Sequence, residues 1–120
     1  MTSPLPNSPD PNLLRGHLDL ILLSILQGQP KYGLEISKLA QDATGGYFDL
    51  KVGSLYPALH RLEKAGFVRG EFQTAPRSGS PVKVYTLTGS GGRELQARQR
   101  DFQTFSTQLG KLWNLKAGGL

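Results

Sequence analysis

No cysteine occurs among the 120 residues, and methionine and tryptophan occur once each. Disulfides, thiolate metal sites and thiol catalysis are therefore excluded. Long apolar runs are also missing. The longest stretch, LDLILLSIL at 18–26, is interrupted by Asp19 and Ser24 and has about half the length of a bilayer crossing. The first twelve residues, MTSPLPNSPDPN, lack the basic and apolar regions of a secretion signal. The expectation is a cytoplasmic protein with no membrane partner.

Signals for catalysis are equally scarce. GSGGR at 89–93 is glycine-rich but lacks the lysine–hydroxyl pair of a phosphate loop. The spacing of serine, histidine and acid residues does not suggest a nucleophile elbow. His60 has no second histidine or carboxylate at ligand spacing. Neither an enzyme nor a bound cofactor or metal is expected.

What the chain does have is an uneven surplus of positive charge, +5 overall. Residues 1–50 carry three Lys/Arg against five Asp/Glu, residues 51–83 six against two, and residues 84–120 five against two. An acidic first third followed by a basic middle suggests one face built for a polyanion. A solvated surface that happens to be basic is the plainer alternative.

The length fits one domain. Residues 1–12 hold four prolines, Pro4, Pro6, Pro9 and Pro11, and read as a flexible arm. A first helix over 13–26 is apolar on nearly every face and should be buried all round. His17 within it reads as a hydrogen-bonded core histidine. Gly28, Pro30 and Gly33 stop that helix, and a second runs over about 32–43 to Gly45-Gly46.

A third helix spans about 52–65. Leu55, Ala58, Leu59 and Leu62 fall on one stripe. Pro57, His60 and Lys64 lie opposite it, with Ser54, Tyr56 and Arg61 on its flanks. Two strands, 67–73 and 82–88, flank the turn-rich TAPRSGSP and form a hairpin. A last helix over about 90–114 carries Leu95, Phe102 and Leu109 at sevenfold spacing, interleaved with Phe105 and Leu112. That seam is too short for a free coiled coil but long enough to pack on another helix.

Three helices, a basic hairpin and a fourth helix make the layout of a winged helix-turn-helix. It is mainly α with a small β wing and a C-terminal dimerisation helix, and its third helix enters the DNA major groove. The expected divisions are an arm at 1–12, the DNA-binding domain at 13–88 and the dimerisation helix with its tail at 89–120. Pro57 fits in the first turn or just beyond, where its missing N–H costs little. Candidate DNA contacts are Lys51, Ser54, Tyr56, Pro57, His60, Arg61 and Lys64, with Arg77 and Lys83 on the wing. Tyr56 also reads as a core-edge tyrosine, and Arg61 and Lys64 as a solvated helix face.

LLRGHLDLILLSIL followed by KYGLEI, then GSLYPALHRLEKAGFV and VKVYTLTGSG, together resemble the PadR transcriptional regulators. The likeness covers residues 13–113. Leu55-Tyr56-Pro57 and Arg61-Leu62-Glu63 are specific in combination. The single last helix resembles the family's short form. The resemblance implies a homodimer in which the last helix, helped by the first, crosses to the second subunit. Leu18, Leu22, Leu95, Phe102, Phe105, Leu109, Leu112 and Trp113 would form that interface. It further implies repression at a palindromic operator, and release by a small aromatic or hydrophobic effector beside Phe102 and Phe105. A purely structural role in the dimer core is the alternative for these aromatics. The wing loop holds one arginine where relatives often have two or three basic residues. The rival to DNA binding is a winged helix that binds protein, and the polar outer face of the third helix argues against it.

Overall fold

A computed structural model describes residues 8–115. Four helices surround a three-stranded antiparallel sheet in the order α1 (Pro11–Leu26), β1 (Lys31–Tyr32), α2 (Gly33–Ala43), α3 (Val52–Lys64), β2 (Val68–Thr74), β3 (Pro81–Leu87) and α4 (Gly89–Trp113). This is a winged helix-turn-helix extended by one long helix. No helix of the described residues is long and apolar enough to cross a membrane.

The first helix starts earlier than its apolar pattern suggests. The Asp10 carboxylate accepts from the Asn12 and Leu13 N–H groups at 2.9 and 3.3 Å, and Pro11 takes the first helical position, where no N–H is needed. Pro9 is buried. The arm expected at 1–12 therefore gives way to ordered structure before Pro11, and residues 1–7 lie outside the described part.

The helix-turn-helix is closed by local chemistry. The Glu35 carboxylate reaches back to the Tyr32 N–H at 3.0 Å at the start of α2. At its end Thr44 Oγ1 donates to the Ala40 carbonyl and accepts from the Phe48 N–H. Helix α3 ends in a Schellman motif: the Gly66 N–H donates to the Glu63 carbonyl and the Phe67 N–H to the Leu62 carbonyl. Gly66 has φ +83°, a conformation that glycine adopts without strain.

The sheet order is β1-β3-β2. Strands β2 and β3 pair from Val68↔Leu87 to Thr74↔Pro81, and β1 pairs only through Lys31↔Tyr85 and Tyr32↔Val84. Two residues are too few to show a period, so β1 leaves no trace in the sequence pattern.

The stripe of α3, Leu55, Ala58, Leu59 and Leu62, is buried against Leu18, Leu22, Leu23 and Leu26 of α1. Ile36, Ala40, Leu50, Val68, Tyr85 and Leu95 complete the same core. The first helix is not buried all round. Leu13 is exposed and Leu14, Leu20, Ile21 and Ile25 are half-buried, because the described residues pack fully on only one side of α1.

Helix α4 begins at a tight joint. Thr88 Oγ1 accepts from the Gly91 N–H at 3.0 Å and donates to the Gly66 carbonyl at 2.7 Å, while the Thr88 N–H donates to the Phe67 carbonyl at 3.1 Å. Gly91 lies directly on the Phe67 carbonyl. Beyond Arg98 the helix runs into solvent, with 99–108 all exposed. The radius of gyration, 17.3 Å, exceeds the roughly 14 Å of a compact chain this long.

Candidate nucleic-acid interface

Helix α3 presents a polar ridge opposite its buried stripe. Gly53, Pro57, His60 and Lys64 all fall on that ridge and are exposed. Pro57 is the sixth residue of the helix, so the Gly53 carbonyl loses its usual intrahelical donor on the solvent side. The helix continues through the proline, whose ring is exposed on the side away from the core. Lys64 has no ion-pair partner among the described residues. Ser54 is exposed on one flank. Lys51 immediately precedes the helix and donates to Asp49 Oδ2 at 2.6 Å while staying 77 % exposed. That hydrogen bond is the main reason the Asp49 carboxyl titrates below its ordinary range.

Three expected contacts are placed differently. Arg61 turns along the flank of α3 onto α1, where its Nη2 meets Asp19 Oδ1 at 2.8 Å. The same carboxylate attracts Arg98 of α4 at 3.8 Å, and Arg98 is also bonded to Glu94 at 2.7 Å. Arg61 keeps 58 % of its side chain exposed, so it is tethered at the edge of the face and not enclosed. Tyr56 folds back over α2: a Cβ on Gly33 would fall 2.6 Å from Tyr56 Cζ and nearer still to its hydroxyl. Tyr56 thus follows the core-edge alternative. Lys83 is engaged by Glu63 of α3 at 2.9 Å and is largely covered. Arg77 is exposed at the wing tip. The wheel gives the side of a helix but not the neighbour facing each flank, so the intramolecular partners of these three side chains do not show in the spacing.

Sequence reasoning missed Asp19 and Glu63, the two carboxylates that hold these cations. Their partners stand 42 and 20 residues away, and nothing local marks such pairs. The hydrogen bond from Lys83 is the main cause of a Glu63 carboxyl below its ordinary range, and the Gly70 N–H adds to it. Lys83 is correspondingly raised.

A second feature lies on the other side of α1. A largely apolar groove of about 750 Å³ runs between α1 and α2, walled by Leu13, Leu20, Ile21, Ile25, Phe48 and Phe102 among others. His17 stands on its rim, half-buried, bonded through Nδ1 to the Leu13 carbonyl oxygen at 2.8 Å and edge-on to Phe102 at 5.2 Å between ring centres. It is a rim residue and not a core one. The α4 seam divides. Leu95 closes into the chain's own core, as do Leu18 and Leu22 of α1, so these three leucines have little surface left for the expected interface. Phe102, Phe105, Leu112 and Trp113 remain exposed, and Leu109 is half-buried.

Comparison with known proteins agrees with this geometry. The family model for the transcriptional regulator PadR-like family matches residues 22–97. An uncharacterized protein of Lysinibacillus sphaericus is 32 % identical over 80 residues, 67 % of this chain and 72 % of the relative. A transcriptional regulator from Clostridium thermocellum superposes with a TM-score of 0.76 at 27 % identity, over 83 % of this chain and 96 % of the other. The Bacillus subtilis PadR structure in complex with operator DNA gives 0.61 at 27 % identity, over 68 % of this chain and 46 % of that one.

Proposed function

As the chain belongs to the transcriptional regulator PadR-like family, a family of DNA-binding regulators and not of enzymes, we propose that it acts in the cytoplasm as a homodimeric repressor at a palindromic operator. The observation that carries the reading is the ridge of α3, where His60 and Lys64 stand exposed opposite a fully buried leucine stripe. Such a ridge offers donors to base edges and phosphates. The structure of a relative with operator DNA supports DNA as the partner.

In this reading Ser54, Pro57, His60 and Lys64 face the major groove, and Lys51 and Arg77 meet the backbone at either end. Arg61 reaches a phosphate from its tether on Asp19. The uncovered aromatics of α4 support the dimer: Phe105 and Trp113 are each about two-thirds exposed, and the groove beside α1 offers apolar surface for a second copy's α4. Two α3 helices on a two-fold axis read inverted half-sites about 34–36 Å apart. A small aromatic effector fits the seam where Phe102 meets the groove, with Phe105 one turn further on.

Selection of duplexes from a random pool by the purified protein tests the function. The expected result is a palindrome, bound with an affinity that falls steeply with salt. Lys64→Ala should weaken binding across sequences and reduce the salt slope by about one, with the melting temperature unchanged. A dimer that shifts no DNA at low salt would refute the reading. Light scattering at micromolar concentration should give the dimer mass, and a monomer there would remove the two-fold argument.

A further inference from the structure

The wing meets α3 through a cluster more enclosed than a phosphate contact needs. Glu63 lies on the flank of α3 that faces the sheet. Its Oε1 accepts from Lys83 Nζ on β3 at 2.9 Å, and its Oε2 lies against the backbone of Gly70 on β2. One side chain of α3 therefore touches both strands of the wing. The Lys83 ammonium also lies 5.9 Å from the ring centre of Phe72 and 5.6 Å from that of Tyr85. Tyr85 is fully buried and fixed between Gly70 and Lys31 in the sheet. Gly70 supplies the remaining wall. A Cβ there would sit 3.0 Å from Glu63 Oε2 and closer still to Lys83 Cε, so an alanine would force the lysine to shift.

The cluster also stands at a mechanical boundary. Strand β1 supports β3 only at Tyr85 and Val84. Lys83 is the next residue toward the tip, and beyond it the hairpin is a two-stranded ribbon. Such ribbons are weakly stable and twist readily on their own. The contact to Glu63 is the last fixture before the tip that carries Arg77.

We infer that Glu63, Lys83 and Gly70 form a latch that sets the angle of the wing to the recognition helix, and through it which operator geometry the protein accepts. The latch rests on the DNA-binding reading and deepens it. Its members are positioning residues: they fix the offset along the duplex between the groove contact of α3 and the wing contact of Arg77, and they do not themselves touch DNA. Lys83 thereby changes role, from a phosphate ligand to a strut.

The experiment compares Glu63→Gln, Lys83→Met and the double variant with the unaltered protein. The probes are the duplex selected by the unaltered protein and a scrambled duplex of equal length. With a latch, each single change weakens the selected duplex on the order of tenfold and hardly affects the scrambled one. The salt slope stays constant, and the double variant is no worse than either single. The reciprocal exchange, Glu63→Lys with Lys83→Glu, restores part of the loss. Direct phosphate contact gives the opposite pattern. Lys83→Met then lowers the salt slope by about one, and Glu63→Gln tightens binding by removing a negative charge and freeing the lysine. Either of those results, or additive losses in the double variant, overturns the latch. Gly70→Ala provides a second route should a charge variant fold poorly, and it should reproduce the selective loss; selective affinity unchanged in this folded variant also overturns the latch. Failure of the unaltered protein to select any duplex overturns the DNA-binding reading and the latch's role with it.

Discussion

Adding one methyl group at Gly91 tests the joint between the DNA-binding unit and α4. The Cβ of an alanine there would lie 2.9 Å from the Phe67 carbonyl carbon and 2.8 Å from Leu87 Cδ1, and closer still to the carbonyl oxygen. Ordinary contact begins near 3.4 Å, so the backbone must retreat by at least about half an ångström from the carbon and further from the oxygen. Phe67 cannot retreat alone, because its carbonyl accepts from the Thr88 N–H and its N–H donates to Leu62. Overpacking of this kind costs about 1–3 kcal/mol, and the rigidity of the site puts Gly91→Ala at the upper end. Gly92 is the internal control. It is the next residue of the same helix, and a Cβ there meets nothing within 4 Å. Gly92→Ala should therefore stabilise by about 0.4–1 kcal/mol through the unfolded chain. Thermal unfolding of both variants at one protein concentration reads the difference, at about 4 °C per kcal/mol for a chain of this size. Gly91→Ala should melt about 8–12 °C below the parent and Gly92→Ala slightly above it. If the two variants melted together, α4 would not be seated on the Phe67 carbonyl.

Three further outcomes are expected. Leu59→Ala, at a site with no solvent exposure, should cost about 2–5 kcal/mol in urea unfolding; a loss below about 1 kcal/mol would mean the stripe is not core. Asp19→Asn releases Arg61 and weakens the hold on Arg98, so non-specific duplex affinity should rise at low salt with a steeper salt slope; unchanged affinity would place Arg61 away from the duplex. The Glu63–Lys83 pair should show in the pH profile. The Glu63 carboxyl is held low chiefly by the Lys83 hydrogen bond, so its contribution is complete above the ordinary glutamate range and is lost as pH falls through and below it. Lys83 is raised chiefly by Glu63, so its share is complete below the ordinary lysine range and is lost as pH rises through and above it. The melting-temperature gap between the parent and Glu63→Gln should therefore narrow on acidification, and a constant gap would show that the pair does not form.

The fold was legible wherever a residue's role depends on its near neighbours. The stripe of α3 follows from spacings of three and four, its stop from Gly66, and the hairpin from β-branched residues around a glycine- and proline-rich turn. The ridge with His60 and Lys64 followed from the same wheel. Contacts between distant segments were not legible. Arg61 and Lys83 are held by ion pairs to Asp19 and Glu63, and Tyr56 packs over Gly33; each partner lies too far along the chain for a local pattern to mark it. The seam of α4 misled in another way. Its sevenfold spacing is real, but Leu95 lies where the chain folds over its own helix, and Phe102, Phe105 and Leu112 are the seam residues left exposed.

Thr88 bonds the first turn of α4 to the same Gly66–Phe67 corner that ends α3. A 25-residue helix is about 37 Å long, so the far end of α4 swings by roughly 6 Å for each 10° of tilt about that corner. Sideways travel at that end is geared down at the corner. Coarse displacements there become small rotations beside the end of α3.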